Sequence, residues 1–279
     1  MRPPGEVATA HLFPRLHEKL LEVLRALAPD DWERPTACSL WTVKDVAAHL
    51  LDGDLRRISV QRDGWFATAA PEPIRSHGEL VAFLNALNAE WVAAARRISP
   101  ALLTELLGFT GREAARMFAA ADPRGPALFP VAWAGEERSA MWLDVAREYT
   151  ERWLHQQHVR DAVGRPGIES RELYHPVLDA FLRALPHTYR HVEAADGTAV
   201  TVTVEGEAGG DWTAVREGGA WRLYLGRPER PAARVSMDGD AAWRLFTKAS
   251  RGPDPRPRVR IDGDEALGRP VLGMVSVMA

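Results

Sequence analysis

Apolar residues recur at helical spacing through the first 167 residues and at strand spacing soon after, and this change of period divides the 279-residue chain. Leu12, Leu20, Leu21, Val23, Leu24 and Leu27 predict a helix over 11–27, ended by Pro29-Asp30-Asp31. Thr42 followed by Asp45 has the spacing of a capping box and starts a second helix, with Val43, Val46, Ala47, Leu50 and Leu51 behind it. A third helix is expected over 76–99, stopped by Pro100, then shorter helical stretches over 101–121. The longest helix should run over 139–163, closed by Gly164 and Pro166. Beyond Gly167 the pattern predicts one more helix near 171–184 and short strands over 198–204, 211–216, 220–225 and 234–237. Gly218-Gly219 marks a hairpin turn, and helices over 239–249 and 264–278 flank a last strand near Val259. The expectation is an all-α bundle over residues 1–167 and an α+β domain with a small, mostly antiparallel sheet over 168–279.

Composition narrows the function classes. No run of about 18 uninterrupted apolar residues occurs, and Met1-Arg2-Pro3-Pro4-Gly5-Glu6 lacks the layout of a signal peptide, so a cytoplasmic protein is expected. Cys38 is the only cysteine, which excludes an internal disulfide and a Cys-rich zinc motif. Any metal is therefore expected on histidine and carboxylate. A net charge of -3 argues against a sequence-independent nucleic-acid binder, which needs a basic surface to displace counterions. Lysine stands only at 19, 44 and 248, so the other basic residues are arginines, whose planar fork suits carboxylates.

The segment 148–158, inside the longest expected helix, carries the candidate chemistry. At about 100° per residue, Glu148, Glu151, His155 and His158 form one polar stripe, with Trp142, Tyr149 and Trp153 on the other side. Glu151 and His155, at i and i+4, can reach one ion. The same spacing also serves a solvated face or a local ion pair. His49 is the candidate third ligand, because an imidazole among Val43, Val46, Leu50 and Leu51 needs a partner in the bundle interior. Three N/O ligands leave a fourth position for water or substrate, the catalytic arrangement of zinc, although the same ligands accept nickel or iron. His158 is a fourth ligand, a general base or a surface residue on this reading, and is carried forward as the catalytic candidate. Cys38, just before the second helix, has no basic group assigned to it and reads as packing or as a nucleophile.

Five words of the sequence resemble the mycothiol-dependent maleylpyruvate isomerase-like family. They are Trp41-Thr42-Val43-Lys44-Asp45-Val46-Ala47-Ala48-His49-Leu50, Asn88-Ala89-Glu90-Trp91, Val131-Ala132-Trp133-Ala134-Gly135-Glu136, the stretch 148–158, and Asp240-Ala241-Ala242-Trp243-Arg244-Leu245-Phe246-Thr247. The resemblance implies a DinB-like four-helix bundle that binds metal, followed by a sterol carrier protein-like domain. It implies His49, Glu151 and His155 as zinc ligands, mycothiol as the thiol cofactor, and a small electrophilic substrate that is isomerised or takes up the sulfur. Arg244 is the expected contact for the thiol or for an acidic substrate. The contrasting reading is a closed ion site without catalysis, to which an added imidazole from His158 would contribute.

Overall fold

The computed structural model describes residues 1–66, 74–248 and 253–276. Two compact units emerge, and each is built from separate stretches of chain. The first holds Ala10–Asp122 and Arg152–Gly167; the second holds Met1–Thr9, Pro123–Glu151 and the described residues from Ile168 to 276. Gly167/Ile168 is thus one of several points at which the chain passes between units.

In the helical unit, α1 (Phe13–Arg25) buries Leu16, Leu20 and Leu24 along one face. Helix α2 (Val43–Arg57) starts where the capping box places it: Asp45 N donates to Thr42 Oγ1 at 3.3 Å, and Thr42 N donates to the Asp45 carboxylate at 3.1 Å. Helix α3 (His77–Ala95) is capped by the Ser76 hydroxyl, which accepts from Glu79 N. Helix α4 (Pro100–Ala120) is one continuous helix of 21 residues where shorter stretches were expected. Pro100 opens it at its first turn, where a missing N–H costs nothing, and the Ser99 side chain caps it. Leu20, Leu24, Trp32, Val43, Val46, Ala47, Leu50, Leu51, Leu103, Leu107 and Val159 form one buried cluster. Each large apolar side chain so buried contributes about 1.5–3 kcal/mol, and together they fix the orientation of α2. Among the described residues no helix is long and apolar enough to cross a membrane.

Helix α5 (Met141–Ala162) is unbroken, and the division between units falls within it, after Glu151. Its first half buries Ala146 against Val7 and Ala180, and the Tyr149 hydroxyl donates to the Leu173 carbonyl at 3.0 Å. The second unit continues with α6 (Arg171–Phe181) and the short α7 (Leu185–Thr188). Its sheet comprises β1 (Ala199–Glu205), β2 (Gly210–Glu217), β3 (Ala220–Leu225), β4 (Ala233–Asp238) and, further along, β5 (Arg260–Gly263). The order is β3-β2-β1-β4-β5, a mixed sheet in which β1–β4 is parallel and the other three pairings are antiparallel. Gly218 and Gly219, at φ 56° and 80°, make the expected turn between β2 and β3, a conformation that glycine adopts without Cβ strain. Helix α8 (Gly239–Phe246) precedes β5, and α9 (Glu265–Gly268) follows it.

Two expectations are corrected here. The helix expected over 264–278 is a single turn of α9 followed by a tighter turn over Arg269–Gly273, because Pro270 and Gly273 interrupt α-helical bonding; residues 277–279 lie outside the described chain. Helix α8 ends at Phe246, so the expected extension to 249 stops at Thr247, and residue 249 lies outside the described residues.

Candidate metal centre

Helix α2 presents His49 two turns after its capped start, between the buried Ala48 and Leu50. The Trp91 indole of α3 donates to the Ala48 carbonyl at 2.8 Å, which ties the neighbouring helix to the backbone beside His49. Helix α5 supplies the rest. Glu151 and His155 are one turn apart on an unbroken helix, so their relative position is set by helical geometry alone. His49 and His155 meet edge to face within the helical unit, ring centroids 4.7 Å apart. Each of His49, Glu151 and His155 offers one ligand atom, and these atoms all lie within 4.8 Å of one another. Donor atoms around a tetrahedral zinc are spaced by about 3.3–3.6 Å, so small side-chain adjustments bring this set onto one ion. The residues therefore fit a divalent cation. Trp41 packs its indole on both imidazoles, at 4.7 Å from His49 and 6.0 Å from His155.

His155 belongs to a second group that the sequence did not reveal. Cys38, His155 and His158 also bring one ligand atom each within 4.8 Å. Cys38 Sγ lies 3.2 Å from His158 Nδ1, and the two imidazoles of α5 are 5.4 Å apart. His155 is 7% exposed and His158 4%. Local spacing could not disclose the contact, because Cys38 and His158 are 120 residues apart in the chain. The fold thus places the lone cysteine beside two histidines of α5, a juxtaposition with no counterpart in local sequence spacing.

The remaining expected residues make contacts of their own. Arg244 lies on α8 with its side chain 5% exposed; its Nε donates to both Asp240 carboxylate oxygens at 3.0 and 3.2 Å, and its guanidinium stacks on Trp243. Glu148 accepts from Arg147 at 3.3 Å. Asn85 and Glu90 are exposed, whereas Asn88 accepts from Arg56 at 3.1 Å, so the word 88–91 braces α3 on α2. His17 is half-buried in the helical unit, where burial lowers its pKa, and His175 Nδ1 lies 2.8 Å from the Ala208 carbonyl.

Residues 13–160 match the model of the mycothiol maleylpyruvate isomerase N-terminal domain. The fold is similar to two crystal structures of a mycothiol-dependent maleylpyruvate isomerase. One is a histidine-to-alanine mutant, with a TM-score of 0.54 at 11% identity over 91% of each chain. The other has a TM-score of 0.52 at 11% identity, covering 87% of this chain and 89% of that one. At such identity the likeness is one of fold. No curated protein sequence matches the chain. The family match spans more than half of the sequence and includes α1 to α4 and nearly all of α5. The chain belongs to the mycothiol maleylpyruvate isomerase N-terminal domain family.

Proposed function

We propose that this chain is a cytoplasmic, metal-dependent enzyme that uses a low-molecular-weight thiol, mycothiol, for isomerisation or S-transfer on a small, acidic, electrophilic substrate. The convergence of His49, Glu151 and His155 on one point carries the reading. Family membership supplies the thiol and the isomerase chemistry. In this reading residues 1–167 contribute a DinB-like four-helix metal-binding bundle and residues 168–279 a sterol carrier protein-like domain.

When bound, a divalent ion such as zinc and the cofactor thiol supply a nucleophilic sulfur at neutral pH, competent to add reversibly to a conjugated double bond or to displace a leaving group. His49, Glu151 and His155 would hold and orient the ion. Trp41, packed on both imidazoles, limits water beside them. His158, whose Nδ1 lies 3.2 Å from Cys38 Sγ, would accept at Nε2 the proton that a bound thiol loses. Arg244 is the proposed contact for the thiol or for a substrate carboxylate, its side chain aligned by Asp240.

The test combines metal analysis with turnover. Purified protein should carry about one zinc per chain and convert maleylpyruvate, or conjugate a small electrophile, only when mycothiol is present. Chelation should abolish the reaction and zinc should restore it. His49→Ala should slow the metal-loaded enzyme by more than about 100-fold, beyond the 10–100-fold cost of losing a supporting residue. Thiol-dependent turnover that survives complete metal removal would overturn the reading.

A further inference from the structure

We propose that Cys38, His155 and His158 form a second metal position, which shares His155 with the first and in which the chain's own thiolate occupies the sulfur place. The proposal rests on the reading that the helical unit binds a divalent ion, and it adds a ligand set that the histidine–carboxylate trio does not contain.

Distance is the first argument. Around a tetrahedral zinc, a thiolate sulfur and an imidazole nitrogen are about 3.5 Å apart, and Cys38 Sγ to His158 Nδ1 is 3.2 Å. The third donor, from His155, lies within 4.8 Å of both. His155 and His158 stand three residues apart on α5, so one turn of helix delivers both imidazoles to the same side.

The second argument is preorganisation. Cys38 sits in a short loop closed at its base by a bridge between Pro35 and Thr42. Inside the loop, Cys38 N donates to Thr36 Oγ1 at 3.2 Å, Trp41 N donates to the Cys38 carbonyl at 3.0 Å, and Thr36 Oγ1 donates to the Trp41 carbonyl at 2.9 Å. Capping of α2 by Thr42 anchors the far end. The backbone that carries the sulfur is thus fixed before any ion arrives, which lowers the entropy lost on ligation.

Donor chemistry is the third. A thiolate with two imidazoles is a soft set that selects zinc over magnesium or calcium, whereas His49, Glu151 and His155 include a hard carboxylate. Ligation exchanges the Cys38 S–H bond for a sulfur–metal bond and releases one proton to solvent. Because His155 belongs to both sets, a single ion fills one position at a time. An ion held by Cys38 is withheld from the position an external thiol would use, so the cysteine acts as an internal competitor of the cofactor.

Cobalt(II) substitution of the full-length protein tests this, with a phosphine as reductant so that no added thiol supplies sulfur. Wild type and His49→Ala should both show a near-ultraviolet thiolate-to-cobalt charge-transfer band. Cys38→Ser and Cys38→Ala should lose it while retaining the visible bands of cobalt bound through nitrogen and oxygen. Serine preserves a hydrogen-bonding group opposite His158, so loss of the band in that variant separates metal ligation from a merely structural Cys–His contact. Wild-type protein with visible cobalt bands but no charge-transfer band would overturn this proposal and leave the histidine–carboxylate site standing. A band that persists in Cys38→Ser would overturn it as well. Failure of wild type to bind cobalt or zinc at all would remove both readings together.

Discussion

Two groups of polar side chains, one around Asp54 and one around His155, differ in composition. Around Asp54 the charges are of opposite sign: one carboxylate oxygen accepts from Arg152 at 2.7 Å and the other from the Thr110 hydroxyl at 3.0 Å. The Arg152 guanidinium also lies over the rings of Phe13 and Phe118, at 5.5 and 5.3 Å. Such a cluster neutralises itself and braces α1, α2, α4 and α5. The group formed by Cys38, His49, Glu151, His155 and His158 is instead made of side chains that all offer electron pairs to a cation. Burial of polar residues does not by itself locate a functional site. The sign and kind of the groups gathered there distinguish a brace from a ligand set.

The largest effect should come from attacking each cluster in turn. Asp54→Ala removes the carboxylate that accepts from both Arg152 and Thr110 and should cost about 3–5 kcal/mol in urea unfolding, with zinc occupancy unchanged. His155→Ala should do the converse, weakening zinc binding by more than about 100-fold in competition with a chelator. Equal loss of metal in both variants, with Asp54→Ala still folded, would erase the distinction.

A smaller effect is expected beside the brace, where a Cβ on Gly111 would fall 2.1 Å from Cε1 of His17. Gly111→Ala should destabilise by about 1–3 kcal/mol through overpacking. Adding His17→Ala should recover part of that loss in a double-mutant cycle, because the clash is then removed.

The smallest effect concerns protons. Burial is the largest influence on His17 and lowers its pKa from 6.5, partly offset by Asp54. The folded state therefore favours the neutral ring, and the unfolded chain binds the proton first as pH falls. Stability from this residue is present above 6.5 and declines below it until the folded form also protonates. Urea midpoints at about pH 7.5 and about pH 5.5 should differ by less in His17→Gln than in wild type. An identical difference would assign the acid sensitivity to other groups.

Local signals were legible in the sequence wherever the relevant contacts are local. The Thr42–Asp45 capping box fixed the start of α2, strand β3 has its expected limits, and the spacing of Glu151 and His155 already implied a shared direction on α5. Proline was read in one direction only: Pro100 opens α4 rather than only closing the helix before it. Pairings between distant residues had no local signature. They include the parallel β1–β4 ladder, the approach of Cys38 to His158, and the bridge from Arg2 to Leu225.

That last bridge has a consequence for synthesis. Arg2 exchanges both backbone hydrogen bonds with Leu225, and Val7 packs with Ala146 and Ala180. Arg2 therefore leaves the ribosome more than 200 residues before the strand that receives it. Throughout that interval this segment must wait in solution or under a chaperone while the helices downstream of it assemble. Limited proteolysis should cut within residues 2–9 of nascent chains stalled before Leu225 and spare that segment in released chains.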